Sequence, residues 1–180
     1  ADIDPYFRSE DWHATFGRGL ARAELRDDII RVIRSRTAPY QLKHLIIESI
    51  QGDAFADSIA EDLLALVLDA SATPVERQAA VDVLTECKTQ PDWPETVKKL
   101  RKAGDVESLR IALQYIIQDH VQMFDGSIIA EILVAISEGM AEDDGPNYAG
   151  IGWGLDKKMS LVQLEDALRV LAECAPPERY

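Results

Sequence analysis

Apolar residues return along this chain at intervals of three and four, and polar breaks separate the segments they mark, which is the pattern of amphipathic helices. From Leu20 the period runs through Leu25, Ile29, Ile30, Val32 and Ile33 and halts at the polar stretch ending in Pro39. Tyr40 to Ile50 forms a second segment, with Leu42, Leu45, Ile46, Ile47 and Ile50 on its inner side and Gly52 as its stop. A third helix lies within Ala60 to Leu68. The fourth is the best marked: Thr73 as N-cap, Pro74 at the first helical position and Glu76 placed to close a capping box open a helix that runs to Cys87.

The pattern continues beyond it. A third pair opens at Asp92-Trp93-Pro94-Glu95, carries Val97 to Leu100, turns at 102–105 and resumes through Leu109, Ala112, Leu113, Ile116 and Ile117. A fourth pair is split: an apolar run from Ser127 to Ser137, an irregular stretch from Gly139 to Lys158, and a last helix from Ser160. Ahead of all of these, residues 1–19 hold Tyr6, Phe7, Trp12 and Phe16 amid Pro5, Gly17 and Gly19. They read as an arm with one short helix from Ser9, its aromatics packing across a neighbouring helix.

The first two helix pairs superimpose at an offset of 34 residues without a gap: Ile29 and Ile30 fall on Leu63 and Leu64, Lys43 on Arg77, and Ile50 on Leu84. Ala112 follows Ala80 by 32 residues, and the V-L-A-E-C ending at Cys174 copies the V-L-T-E-C ending at Cys87. Periods of this length belong to helical arrays. The expected fold is therefore all-α, an α-α superhelix of about four antiparallel helix pairs in a single domain over 1–180, with an arm at 1–19 and a glycine-rich insertion at 139–158.

The stretch L-L-A-L-V-L-D-A-S-A-T-P-V-E-R-Q-A-A-V-D-V-L resembles a HEAT-type repeat, carried by Asp69, Pro74, Arg77, Ala79, Ala80 and Leu84. Asp69 and Arg77 stand farther apart than in the usual HEAT pattern. A 34-residue period also suits tetratricopeptide repeats, but their Trp, Leu-Gly and Tyr marks are missing here. The HEAT resemblance implies stacked pairs whose second helices line a binding surface, hence a non-catalytic protein-interaction module with no cofactor. HEAT-like arrays also form the tails of large bacterial signalling or defence NTPases, so the implied partner is a protein or another domain of the same polypeptide, and a first residue that is Ala rather than Met fits a piece of a longer chain. The same family includes bilin lyases and alkylated-base glycosylases. A bilin-lyase-type or other small-molecule-binding helical-repeat enzyme is the alternative.

Composition narrows the partner. Against 19 basic residues stand 32 acidic ones, a formal charge of −13 that repels phosphate backbones, so no nucleic acid is expected and the glycosylase reading is disfavoured. No apolar run approaches the roughly 18 residues a membrane span needs, so no membrane partner is expected either. Two cysteines, without metal-ligand spacing, read as reduced and buried thiols of a cytoplasmic protein. His13, His44 and His120 are scattered, and Gly150-Ile-Gly152-Trp-Gly154 lacks the preceding strand and the Lys-Ser or Lys-Thr pair of a phosphate loop.

Aligning the second helices gives two polar rows, Glu48, Asp82, Gln114 and Arg169 in one register and His44, Gln78, Arg110 and Glu165 in another. They are read either as a partner-binding surface or as the solvated faces of amphipathic helices. Tyr148 and Trp153, set among the glycines of the insertion, are candidate aromatic anchors for a partner or plugs for the end of the array. Arg18, Arg22, Arg26, Arg31, Arg34 and Arg36 make a basic cluster in an acidic chain, and Arg22 and Arg26 fall four apart on a helical stripe that would suit an anion or an acidic partner. Pairing with Glu24, Asp27 and Asp28 is the alternative use of these arginines.

Overall fold

A computed structural model describes residues 19–140 and 154–174, and among them every regular element is helical. The fold is all-α, as the periodicity implies. The chain divides into two compact units, Ala1–Pro91 and Asp92–Tyr180.

In the first unit, α1 (Arg26–Arg34) follows a 3-10 turn at Ala23–Leu25, and α2 is Tyr40–Ser49. A second turn, Ala56–Ile59, leads into α3 (Ala60–Leu68), and α4 is Pro74–Glu86. α1 packs on α2 and α3 on α4; in addition α1 lies on α3 and α2 on α4. Each helix of the second pair thus rests on its counterpart 34 residues earlier. Burial repeats at the same offset: Ile29 with Leu63, Ile33 with Val67, Ile46 with Ala80, Ile47 with Val81 and Ile50 with Leu84 are all in the core. Each fully buried Ile or Leu contributes about 1.5–3 kcal/mol, so this repeated stripe is the main stabiliser of the unit.

Local signals set the ends. At α4 the capping box closes in full: Thr73 Oγ1 accepts from the Glu76 N–H at 3.3 Å, and the Glu76 carboxylate accepts from the Thr73 N–H at 2.8 Å. Gly52 sits at φ 72°, the left-handed region that a side chain resists, where the sequence places the stop after α2. The first helical run starts later than Leu20, because Arg22 is extended at φ −123°, ψ 136°.

The second unit contains α5 (Trp93–Ala103), α6 (Val106–Arg110), α7 (Gly126–Met140), α8 (Leu155–Lys158) and α9 (Leu161–Cys174). Asp92 caps α5 by accepting from the Glu95 N–H at 3.0 Å, so the helix begins at the buried Trp93, ahead of the apolar run at Val97. α6 runs on into a π-helical segment, Ile111–Ile117, whose wider turn brings Ile111, Ala112, Leu113, Ile116 and Ile117 all into the core. α9 opens with a second capping box, Ser160 with Gln163, placed 87 residues after Thr73 with Glu76. Gln163 is buried, and its amide donates to the carbonyls of Val121 and Phe124 at 2.8 and 2.7 Å. The start of α7 comes so close to this point that a Cβ on Gly126 would lie 1.8 Å from the Gln163 carbonyl oxygen.

The two V-L-x-E-C endings do not share an environment. Val83, Leu84 and Cys87 are buried, whereas Leu171 and Cys174 are exposed, which corrects the expectation of two buried thiols. The arm at 1–18 and residues 141–153 of the insertion lie outside the described residues.

Candidate interaction groove

On the outer side of α2 and α4 the first two members of each polar row meet. His44, Glu48, Gln78 and Asp82 line one cavity of about 260 Å³ together with Gln51, Val75 and Ala79. The 34-residue offset explains the meeting: residues at equal positions on two stacked helices are neighbours across the contact. His44 Nε2 lies 3.3 Å from Glu48 Oε1, and both side chains are half-exposed. The other ring nitrogen, Nδ1, is shielded from solvent and has no hydrogen-bond partner among the described residues. Gln51 Nε2 donates to Glu86 Oε1 at 2.6 Å, while Val75 exposes an apolar side chain at the groove wall. Chemically this is a groove lined by the carboxylates of Glu48 and Asp82, with Val75 as an exposed apolar contact and an imidazole whose Nδ1 is buried and unpartnered among the described residues.

A larger cavity, about 430 Å³, lies at the turn end of the same unit, lined in part by Arg34, Tyr40, Lys43, Asp62, Asp69 and Glu76. Most of these charges are engaged within the fold, although Arg36, which also lines the cavity, has no ion pair among the described residues. Lys43 Nζ meets Glu76 Oε1 at 3.0 Å, Arg34 meets the buried Asp62 at 2.5 Å, and Asp69 accepts from the hydroxyl and N–H of Ser71 at 2.6 and 2.9 Å. The Ser71 hydrogen bonds hold the Asp69 carboxyl below the usual carboxylate range. Neither Lys43 nor Asp62 stands out in the sequence as a site residue; the 34-residue pairing of Lys43 with the buried Arg77 is the signal that marks the first.

The remaining expected residues are distributed as follows. Arg110 sits half-buried on α6 with its guanidinium 2.8 Å from Glu107, and Gln114 lies half-buried in the π segment. Arg169 and Glu165 are exposed on α9, Arg169 holding Asp166 at 3.2 Å. Tyr148 and Trp153 lie outside the described residues. The basic stripe breaks between Arg22, which is extended, and Arg26, which is helical. The Arg26 guanidinium donates twice to the Ser58 carbonyl, at 3.0 and 3.2 Å, and so ties α1 to the turn before α3. Arg31 pairs with Asp28 at 2.8 Å.

Among the described residues no helix is long and apolar enough to cross a membrane, and no three His, Cys, Asp or Glu side chains gather as a metal site. Compared with family models, curated proteins and solved structures, the chain finds no match in any of the three.

Proposed function

We propose that the chain is a HEAT-like helical-repeat scaffold of the cytoplasm, in which the second helices of the first unit offer an acid-lined groove to a basic segment of a protein partner or of another domain of the same polypeptide. The observation that carries this reading is the convergence of His44, Glu48, Gln78 and Asp82 on one cavity beside the exposed Val75. Much of the rest of both helices serves the core, while Tyr40, Gln41 and Leu42 are exposed at the start of α2, away from the groove. A formal charge of −13 favours a Lys- or Arg-bearing partner over an acidic one or a nucleic acid. The cytoplasmic placement rests on two cysteines that form no disulfide.

The test is quantitative affinity capture with the wild-type chain and with the variant Glu48→Lys/Asp82→Lys, both checked by circular dichroism for unchanged helicity. A set of proteins retained by the wild type and lost from the folded variant supports the groove. Identical sets from both overturn it.

A further inference from the structure

Leu161, Leu164, Leu168 and Leu171 follow one another on α9 at alternating spacings of three and four, the seam of a two-heptad helix interface. Leu161, Leu168 and Leu171 are 79%, 64% and 37% exposed, and Val162 beside them is exposed as well. The same helix pattern is treated differently in the first unit. At an offset of 87 residues α9 repeats the capping box and the V-L-x-E-C ending of α4, and Ala167, like its counterpart Ala80, is buried. Yet Val81 and Leu84, the counterparts of Leu168 and Leu171, are only 1% and 0% exposed. No described residue covers the face on α9. Contiguous apolar stripes of this kind mark contact surfaces, and helical stacks normally close with a polar outer face.

We propose that this face is an interface between two copies of the chain, with their α9 helices antiparallel about a twofold axis. Self-complementarity argues for a second copy. Turning α9 end over end about a point near residues 166 and 167 sets Leu161 against the partner's Leu171, Leu164 against the partner's Leu168 and Val162 against the partner's Ala172. Glu165 then stands beside the partner's Arg169, and symmetry makes that pair twice. A parallel pairing in register leaves both charges without an opposite partner across the seam. The bond that Arg169 makes to Asp166 within its own helix is solvent-exposed and contributes under about 1 kcal/mol. This interface belongs to the second unit, and the groove on α2 and α4 to the first.

The test is sedimentation velocity on the full chain over a concentration series. The wild type is expected to show a monomer–dimer equilibrium, and Leu168→Glu, at the centre of the seam, to weaken it by about a hundredfold or more with helicity retained. Leu161→Glu, at the exposed end of the helix, gives a second and milder readout should Leu168→Glu misfold. Glu165→Arg and Arg169→Glu are each expected to weaken the dimer, and the two together in one chain to restore it. A wild type that stays monomeric at every concentration overturns the proposal and assigns the face to another part of the chain or to a different protein. A dimer indifferent to the leucine variants, or a charge swap no better than its single members, overturns it equally.

Discussion

Lys43 and Glu76 form a buried ion pair at 3.0 Å, 7% and 3% exposed, that joins the second helix of one pair to the second helix of the next. Glu76 is at once the capping residue of α4 and the counter-ion of α2. Burial pushes its carboxyl up, but the Thr73 N–H, the Lys43 ammonium and the Thr73 hydroxyl outweigh burial and hold it below its ordinary value of 4.5. Lys43→Met leaves a carboxylate buried without its cation and is expected to cost about 3 kcal/mol in urea denaturation. Adding Glu76→Gln removes the stranded charge while keeping an N3 group able to accept from Thr73, and should recover about half of that loss. Because the folded carboxyl is held low, its stabilisation is fully present above about pH 4.5 and disappears as the pH falls through the folded value.

Arg77 stands at the position equivalent to Lys43 and solves the same problem differently. It is 1% exposed, and its Nε donates to the Val67 carbonyl in the last turn of α3 at 2.9 Å, where a cation also complements the helix dipole. Arg77→Met is expected to lower stability by about 3 kcal/mol by leaving that carbonyl unpaired. Arg77→Lys should not restore it, since an ammonium lacks the planar fork. Thermal melts of the three proteins decide the point.

At Gly126 the absence of a side chain is what lets α7 begin against α9. Gly126→Ala places a methyl inside the Gln163 backbone and is expected to destabilise the protein by about 3 kcal/mol, as overpacking against backbone that has no free direction to move. Gln163→Leu, which removes the bonds to the Val121 and Phe124 carbonyls, should cost a similar amount through two stranded acceptors. Urea midpoints of the two variants measure both effects.

His120 stacks on Trp93 with ring centroids 5.2 Å apart, and its Nε2 is shielded without a hydrogen-bond partner among the described residues. Burial holds its imidazole below the ordinary 6.5, against the opposing influence of Asp119. The unfolded chain therefore takes up the proton first. Stability falls as the pH drops below about 6.5, and the fall ends once the folded imidazole is itself protonated. A lower melting temperature at pH 5.5 than at pH 7.5, blunted in His120→Phe, is the expected result; an unchanged pH dependence in the variant assigns the effect elsewhere.

The sequence carries the helices more completely than their surroundings. The cap of α4, the turn at Gly52 and the 34-residue register are local signals, and each is visible because only a few residue types satisfy the backbone there. Burial of a stripe is decided by what lies opposite: the same V-L-x-E-C ending is core on α4 and surface on α9. The π segment is equally silent, since apolar residues at 112, 113, 116 and 117 suit an α-turn and a π-turn alike. In the groove, His44, Glu48, Gln78 and Asp82 are legible because two stacked helices keep the register of their sequence. The double role of Glu76 is not, because a capping box gives no hint that its carboxylate also meets a lysine 33 residues earlier.

The most direct measurement of the interaction groove is peptide display from a randomised library on the wild-type chain, followed by calorimetric titration of the selected peptides into wild type and Glu48→Lys/Asp82→Lys. Lys- or Arg-bearing peptides are expected, bound more weakly in high salt and at least about tenfold more weakly by the folded variant. Peptides without basic residues, or with equal affinity for both proteins, would contradict a role for this groove in recognition.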